Sequence, residues 1–487
     1  MASIQAQELF VAVRPLCANV LQETNPAEQL ALVRRLLGVL DAFASATGSD
    51  GTDTAVAQLA EYLLFPMVLL LKNPQATQLV KEASMDVLAW VLQRAAVTSA
   101  VVADDMCTTL AMVIHGHIRT GADETKDAAV RVCSILFRPW FDPSATAAAN
   151  GPRLQVLLGL LVDEPADAVA ADGKTTTSKA HLRLALLVSA LLEAASTGRL
   201  ASLRERSLKL LQQMADATAT LTTKAAYRRS LAGMLPGIVS TLTKMLLHDT
   251  KERHAILVGA LNTLGAWLGA IFTDEPSASY ATSSSPADQL ADQIRASLHE
   301  QLSPSSTKPG VNSGAAQGPL SQEWMQTTAA NVKRALQRIV PAMSIASSAY
   351  PRRALADLCF ALLTKSPRSL ETCSQLLFDA LLSRLHDDDA GTGDAARKAI
   401  EALLARDAFE SGGNGNLHTT LRKSLGTLLQ ALPRQLLSTS EDDVKLLQLQ
   451  RVLGYVDVLG DSAQEIVRYS FFLSFSKGNL SLVVAVT

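Results

Sequence analysis

Between Val80 and Ala405 the chain repeats one arrangement of polar and apolar positions. A short charged cluster opens a segment whose apolar residues then return at three- and four-residue steps. The clusters are Lys81-Glu82, Glu124-Lys126-Asp127-Arg131, Arg204-Glu205-Arg206, Lys251-Glu252-Arg253 and Asp394-Arg397-Lys398. Such steps place side chains on one face of a helix, as Val80, Ala83, Val87 and Trp90 illustrate. Most clusters follow an earlier apolar helix and a brief polar break, which predicts antiparallel helix pairs. A recurring pair cannot bury its own apolar faces and must stack on its neighbours. The expected fold is all-α: an α-solenoid of HEAT/armadillo-like antiparallel helix pairs in a right-handed superhelix, with one long disordered insertion. Two of the three first spacings between clusters fall in the ~40–47-residue HEAT period. The third, from Lys126 to Arg204, holds an extra helix and a loop at 163–178.

Caps and breakers set the expected boundaries. Helices are expected at 4–22 and 26–46, the second capped by Asn25, led by Pro26 and with Glu28 reaching back to the cap's N–H. A helix at 54–72 follows, then one capped by Asn73, led by Pro74 and running to Gln93. Further pairs are expected at 101–120 with 124–139 and 179–197 with 200–219. Pro236 should open a helix ending near His248, and Asp249 with Glu252 should cap a long apolar helix after it. Residues 1–273 thus form the first block of HEAT-like repeats. From 274 to 320 the Ser-, Pro- and Gly-rich text, including Ser283-Ser284-Ser285-Pro286 and Ser303-Pro304-Ser305-Ser306, reads as a flexible insertion. Only 287–302 there suits a short helix, and the Ser-Pro steps are candidate phosphorylation sites. Repeats resume over 321–460 as helices at 321–345, 351–364, 369–386, 392–409, 416–437 and 441–459. Residues 461–487 read as an atypical apolar tail, β-prone over 469–477 and 480–487, without the polar outer face that ends a complete solenoid.

Composition narrows the class. Of 487 residues, 48% are hydrophobic and 18% charged, against about 25% charged in ordinary soluble domains. Aromatics are 5%, which argues against a base-stacking platform, and a net charge of -2 offers no general field for nucleic acid. The five cysteines, Cys17, Cys107, Cys133, Cys359 and Cys373, form no C-x-x-C pair and read as buried thiols of a reducing compartment. No secretory signal opens the chain. Residues 255–272 carry no charge and include Gly265-x-x-x-Gly269, so a membrane span and a wholly buried helix both fit; the buried helix is preferred because about 20 residues are needed to span.

Candidate chemistry is sparse. His115-Gly116-His117 cannot share a metal on a helix, where residues two apart face different ways. His248 and His254 suit a hairpin corner. Asp387-Asp388-Asp389 lacks the spacing of a calcium loop and reads as a solvated turn capping the next helix. Arg352-Arg353 and Lys333-Arg334 are short basic spots on solvated helix faces. No phosphate-binding glycine loop, nucleophile elbow or zinc-helix motif occurs. No catalytic, cofactor-binding or metal-ligating residue is assigned.

Particular residues add a resemblance. Phe10-x-x-x-Arg14-Pro15-Leu16-Cys17, Leu63-Leu64-Phe65-Pro66 with Lys72, and above all Leu235-Pro236-Gly237-Ile238-Val239-Ser240-Thr241-Leu242-Thr243-Lys244 resemble the Tel-Two-Interacting Protein One family. Asp249-x-Lys251-x-x-His254-x-Ile256-x-Val258, Glu323-Trp324, Arg352-Arg353 and Ser366-x-Arg368-Ser369-Leu370-x-x-Cys373 keep the family's order over roughly 9–404. The resemblance implies a non-catalytic HEAT-repeat scaffold of the Triple-T co-chaperone complex, without cofactor. The implied partners are Tel-two, the second Tel-two-interacting protein, phosphatidylinositol 3-kinase-related kinases such as the target-of-rapamycin and DNA-damage kinases, and the heat-shock protein ninety machinery. It implies a cytoplasmic and nuclear location, with no nucleic acid or membrane partner. Family members are longer and the last residues match no family block, so a truncated chain is expected. A karyopherin-like transport receptor or another HEAT-repeat adaptor is the alternative.

Overall fold

The computed structural model describes residues 2–116, 122–141, 159, 179–219, 224–248, 253–274, 319–410, 416–439 and 441–476. The elements among them are all helical, and they gather into two compact units, residues 1–270 and 271–487. The expected loop at 163–178, the Asp249–Glu252 cap, residues 275–318 of the insertion and 477–487 of the tail lie outside the described residues.

In the first unit, α1 (Ala2–Gln22) leads into α2 (Pro26–Lys72). Asn25 caps α2 as expected, accepting from the Ala27 N–H at 3.1 Å. The cap's own N–H goes to Glu23 at 2.8 Å and not to Glu28, because Glu23 folds back within the entering turn. The two helices expected at 26–46 and 54–72 are one element broken at Gly48, whose φ of 74° and ψ of 172° only glycine adopts without strain. Thr52 closes the break by donating to the Gly48 carbonyl at 2.6 Å. α3 (Gln78–Arg94) starts at Gln78 and not at Pro74. Asn73 instead ends α2, and its side chain accepts from the Gln75 N–H at 2.9 Å, an Asx turn that consumes the oxygen a helix start would need.

α4 (Ala100–Ile114), α5 (Asp123–Leu136), the single turn α6 (Arg138–Phe141), α7 (Lys179–Thr197), α8 (Ala201–Asp216), α9 (Lys224–His248) and α10 (His254–Ile271) follow. Pro236 lies inside α9 and does not open it. The apolar face of α9 is continuous through Tyr227, Leu231, Leu235, Ile238 and Leu242, all buried, and its packing outweighs the hydrogen bond that proline removes.

These helices form two layers. The second half of α2 lies beside α4, α4 beside α7, and α7 beside α9. In the other layer α3 lies beside α5 and α5 beside α8. α10 continues it: Thr263 and Trp267 donate to the Leu208 and Leu211 carbonyls of α8 at 3.0 and 2.9 Å. Each pair covers the apolar face of the next, the HEAT-type arrangement the pattern predicts. The uncharged run of α10 is 61% buried over its most apolar window. By length and composition α2, α7, α9 and α10 would each be long and apolar enough to cross a membrane.

The second unit comprises α11 (Gln322–Ser344), α12 (Ala349–Lys365), α13 (Glu371–Arg384), α14 (Ala390–Glu410), α15 (Asn416–Ser438), α16 (Asp442–Leu459) and α17 (Asp461–Ser476). α13 lies between α11 and α16, α12 beside α14, and α15 against α16 and α17. Residues 461–476, part of the atypical tail and β-prone in sequence from Tyr469 on, form a helix. Gly460, at φ 53°, turns the chain, Asp461 opens α17, and Ala463 is buried. α17 packs against α15.

Candidate interaction surfaces

Charged side chains in and beyond the first turns of several helices bind across to neighbouring helices. Asp86 of α3 pairs with Arg131 of α5, 45 residues on, and Asp127 of α5 pairs with Arg206 of α8 at 2.5 Å, 79 residues on. Glu82 accepts from Thr125 Oγ1 at 3.0 Å, and Asp123 accepts from the N–H groups of Arg199 and Leu200 where α8 begins. In the other layer Lys72 pairs with Asp105, and Arg183 with Asp104. Most of these groups are partly exposed, so each pair contributes only about 0–1 kcal/mol. Their effect is to fix which helix lies beside which.

In the second unit Arg352 is not a surface spot. It is buried, and its guanidinium grips Asp387 from Nε at 3.0 Å and Nη2 at 2.8 Å while Nη1 donates to the Ala346 carbonyl at 2.8 Å. Arg384 approaches the same carboxylate at 2.8 Å and reaches the Ser344 carbonyl at 2.9 Å. Burial raises the Asp387 pKa, but the hydrogen bond from Arg352, the Asp389 N–H and the Arg384 charge outweigh it and hold the carboxyl below its ordinary 3.8. Asp389 caps α14, accepting from the Thr392 N–H and Oγ1 at 2.8 Å each. The Asp387–Asp389 turn is therefore committed to arginines and a cap. Arg353 stays exposed, and Arg334 bonds Asn331 on its own helix.

A second polar cluster fixes α16 on α13. Tyr455 donates to Asp379 at 2.5 Å, Gln375 donates to the same oxygen at 2.9 Å, and Arg451 holds the other. Burial pushes the Asp379 carboxyl up, against the pull of Arg451, Tyr455 and Gln375. Beside it, a Cβ on Gly454 would fall 2.2 Å from the Leu382 carbonyl oxygen, so the two backbones touch and only glycine fits.

No group of three or more His, Cys, Asp or Glu is placed to hold a metal among the described residues. His115 lies 3.3 Å from Glu193, tying α4 to α7, while His117 is outside the described residues. All five cysteines are buried. Burial pushes Cys107 and Cys359 up to about 12 and Cys17 up to about 11, so these thiols stay protonated and poorly nucleophilic near neutral pH. The feature that sequence reasoning missed is an open apolar stripe: Leu446, Leu449 and Leu453 on α16 all face solvent. Its signal, leucines at i, i+3 and i+7, was present but looks the same as a core face.

A family model described as "TTI1 N-terminal TPR domain" matches residues 10–169 and 158–388. The chain belongs to the TTI1 family. The TELO2-interacting protein 1 homolog of Homo sapiens is 23% identical over 469 residues, covering 93% of this chain and 37% of that protein. That of Mus musculus is 23% identical over 476 residues, covering 95% and 38%. The chain thus spans under two-fifths of the length of these curated relatives. A solved structure of Kap95p with RanGDP aligns over 98% of this chain and 66% of that one at 12% identity, with a TM-score of 0.21, a likeness too weak to carry an argument.

In this TTI1-family chain the residues that carried the resemblance hold helices together. Leu235, Ile238 and Leu242 form the buried face of α9, with Pro236, Gly237 and Lys244 outward. Phe10 meets Tyr62 edge-on at 5.2 Å. Arg368 and Ser369 clasp Asp274 through the Arg368 N–H at 2.6 Å and the Ser369 hydroxyl at 2.5 Å. The family description says TPR, whose period is about 34 residues. The Asp86–Arg131 rung, 45 residues apart, sits nearer the HEAT spacing.

Proposed function

We propose that this chain is a non-catalytic scaffold of the Triple-T co-chaperone complex, binding TELO2 and the second Tel-two-interacting protein. In this reading it supports maturation and stability of phosphatidylinositol 3-kinase-related kinases, target-of-rapamycin among them, together with the heat-shock protein ninety machinery. The observation that carries it is the TTI1-family match over residues 10–388, together with the printed name of the relatives, which describes a TELO2 interaction. Polar side chains among the described residues are largely committed to holding helices together. The chain's buried carboxylates pair with arginines, its charged openings tie neighbouring helices, and its thiols are buried and protonated.

The test is affinity purification of the tagged chain from cells with quantitative mass spectrometry. TELO2 and at least one large kinase of this class should be enriched, from cytoplasmic and nuclear fractions alike. Recovery of neither TELO2 nor such a kinase, from a soluble and folded bait, ends the proposal. Tight binding of a GTP-loaded small GTPase would instead favour the transport-receptor alternative.

A further inference from the structure

We propose that the open face of α16 is a docking site for a basic amphipathic helix of a partner protein. This deepens the scaffold reading by giving it one defined surface. Leu446, Leu449 and Leu453 are 54%, 42% and 49% exposed. At i, i+3 and i+7 they form a single stripe about 10 Å long, two turns of helix. Apolar side chains grouped on one exposed face, unlike singly scattered ones, call for a partner to cover them.

The stripe is presented by a rigid element. The opposite side of α16 is held by the buried Tyr455–Asp379 hydrogen bond and by backbone contact between Gly454 and Leu382. Its exposure therefore does not come from a loosely attached helix.

Charge identifies the occupant. Asp442, with its side chain 93% exposed, and Asp443 stand before Leu446, and Asp457, 50% exposed, stands after Leu453. Lys445 bonds Asp442 at 3.0 Å and His386 lies 2.8 Å from Asp457, so these two acids are already partnered within the chain, and Asp443 adds a further exposed acid to the rim. The complement is a helix with aliphatic anchors at the same spacing and Lys or Arg at both ends, the helix-in-groove mode with a steering rim. A second copy of this chain fits poorly. Antiparallel pairing of two α16 stripes sets Asp442 against Asp457, and parallel pairing sets each acid against itself. An anionic membrane surface is repelled for the same reason.

The full chain is titrated into a fluorescein-labelled 18-residue helical peptide carrying three leucines at this spacing with lysines at both ends, and into the same peptide with glutamates at the ends. The lysine peptide should bind at least tenfold more tightly, and its affinity should fall with added salt. Leu449→Ser with Leu453→Ser should weaken it at least tenfold while far-UV circular dichroism is retained. Asp442→Lys with Asp443→Lys should reverse the preference and keeps the proposal testable if the leucine variant unfolds. Equal affinity for both peptides, or no effect of either variant, overturns the proposal. So does concentration-dependent dimerisation lost in the leucine variant, or binding to phosphatidylserine vesicles. Loss of peptide binding with TELO2 retained sinks this site alone; loss of TELO2 and kinases with peptide binding retained sinks the Triple-T reading alone.

Discussion

Trp90 joins α3 to the first half of α2: its ring is buried, its Nε1 donates to Asp41 at 2.7 Å, and the Arg94 guanidinium stacks 3.9 Å from its centroid. Trp90→Ala empties that space and removes the donor, so a loss of about 3–5 kcal/mol is expected in urea denaturation. Lys81 behaves differently from its place in the sequence. It sits in a charged helix opening, yet it is buried, its Nζ has no hydrogen-bond partner, and burial lowers its pKa. Lys81→Met keeps the shape and removes the stranded amine, so it should stabilise the protein by about 1–3 kcal/mol in the same assay. Asp387 gives a pH dependence. Its folded pKa is below 3.8, so its contribution is present above that value and lost as pH falls through the folded pKa. Asp387→Asn should therefore lower stability at neutral pH and flatten the acid limb of a stability–pH curve below about pH 4. A wild-type limb of unchanged slope in the variant would show that the acid limb comes from other groups. None of these three environments is visible in sequence, because burial depends on neighbours far along the chain.

At the scale of elements, the apolar stripes made the helices legible, since a three- and four-residue period needs no knowledge of partners. Boundaries were harder. Asn73-Pro74 carries the same signal for ending a helix as for starting one, and only the Gln75 hydrogen bond decides between them. Pro236 misled because a long buried face tolerates an internal proline. The charged clusters at 81–82, 124–131, 204–206 and 394–398 do lie in helices, while Lys251-Glu252 lies outside the described residues. The mates of Arg131 and Arg206 lie 45 and 79 residues away, beyond any local pattern. Those pairings can be tested directly. Asp127→Arg and Arg206→Asp should each destabilise the protein, and the double exchange should recover most of the loss. A double-mutant cycle should give a coupling of about 0.5–1 kcal/mol, Asp127 being the more enclosed partner. Additive losses would mean that the rung contributes nothing to register.

Across the whole molecule, stacked pairs make stability a sum of each pair's own terms and those of its immediate neighbours. Protection should therefore vary along the chain and not rise and fall as one unit. Native-state hydrogen exchange should find α3 and α5, each flanked on both sides, slowest, with α1 exchanging faster. Uniform protection along the first unit would argue for a single all-or-none core. The candidate binding face was the least legible part, since three leucines on α16 read as core until the helices around them are placed.

The rungs have one more consequence. α5 offers an acid, Asp127, to α8, the next helix in its layer, and a base, Arg131, to α3, the previous one in that layer. It carries plug and socket on the same part. A tandem copy of the stretch from α4 to α5 would meet a matching fitting at each end, so arrays of this kind can grow by duplication without redrawing either neighbour.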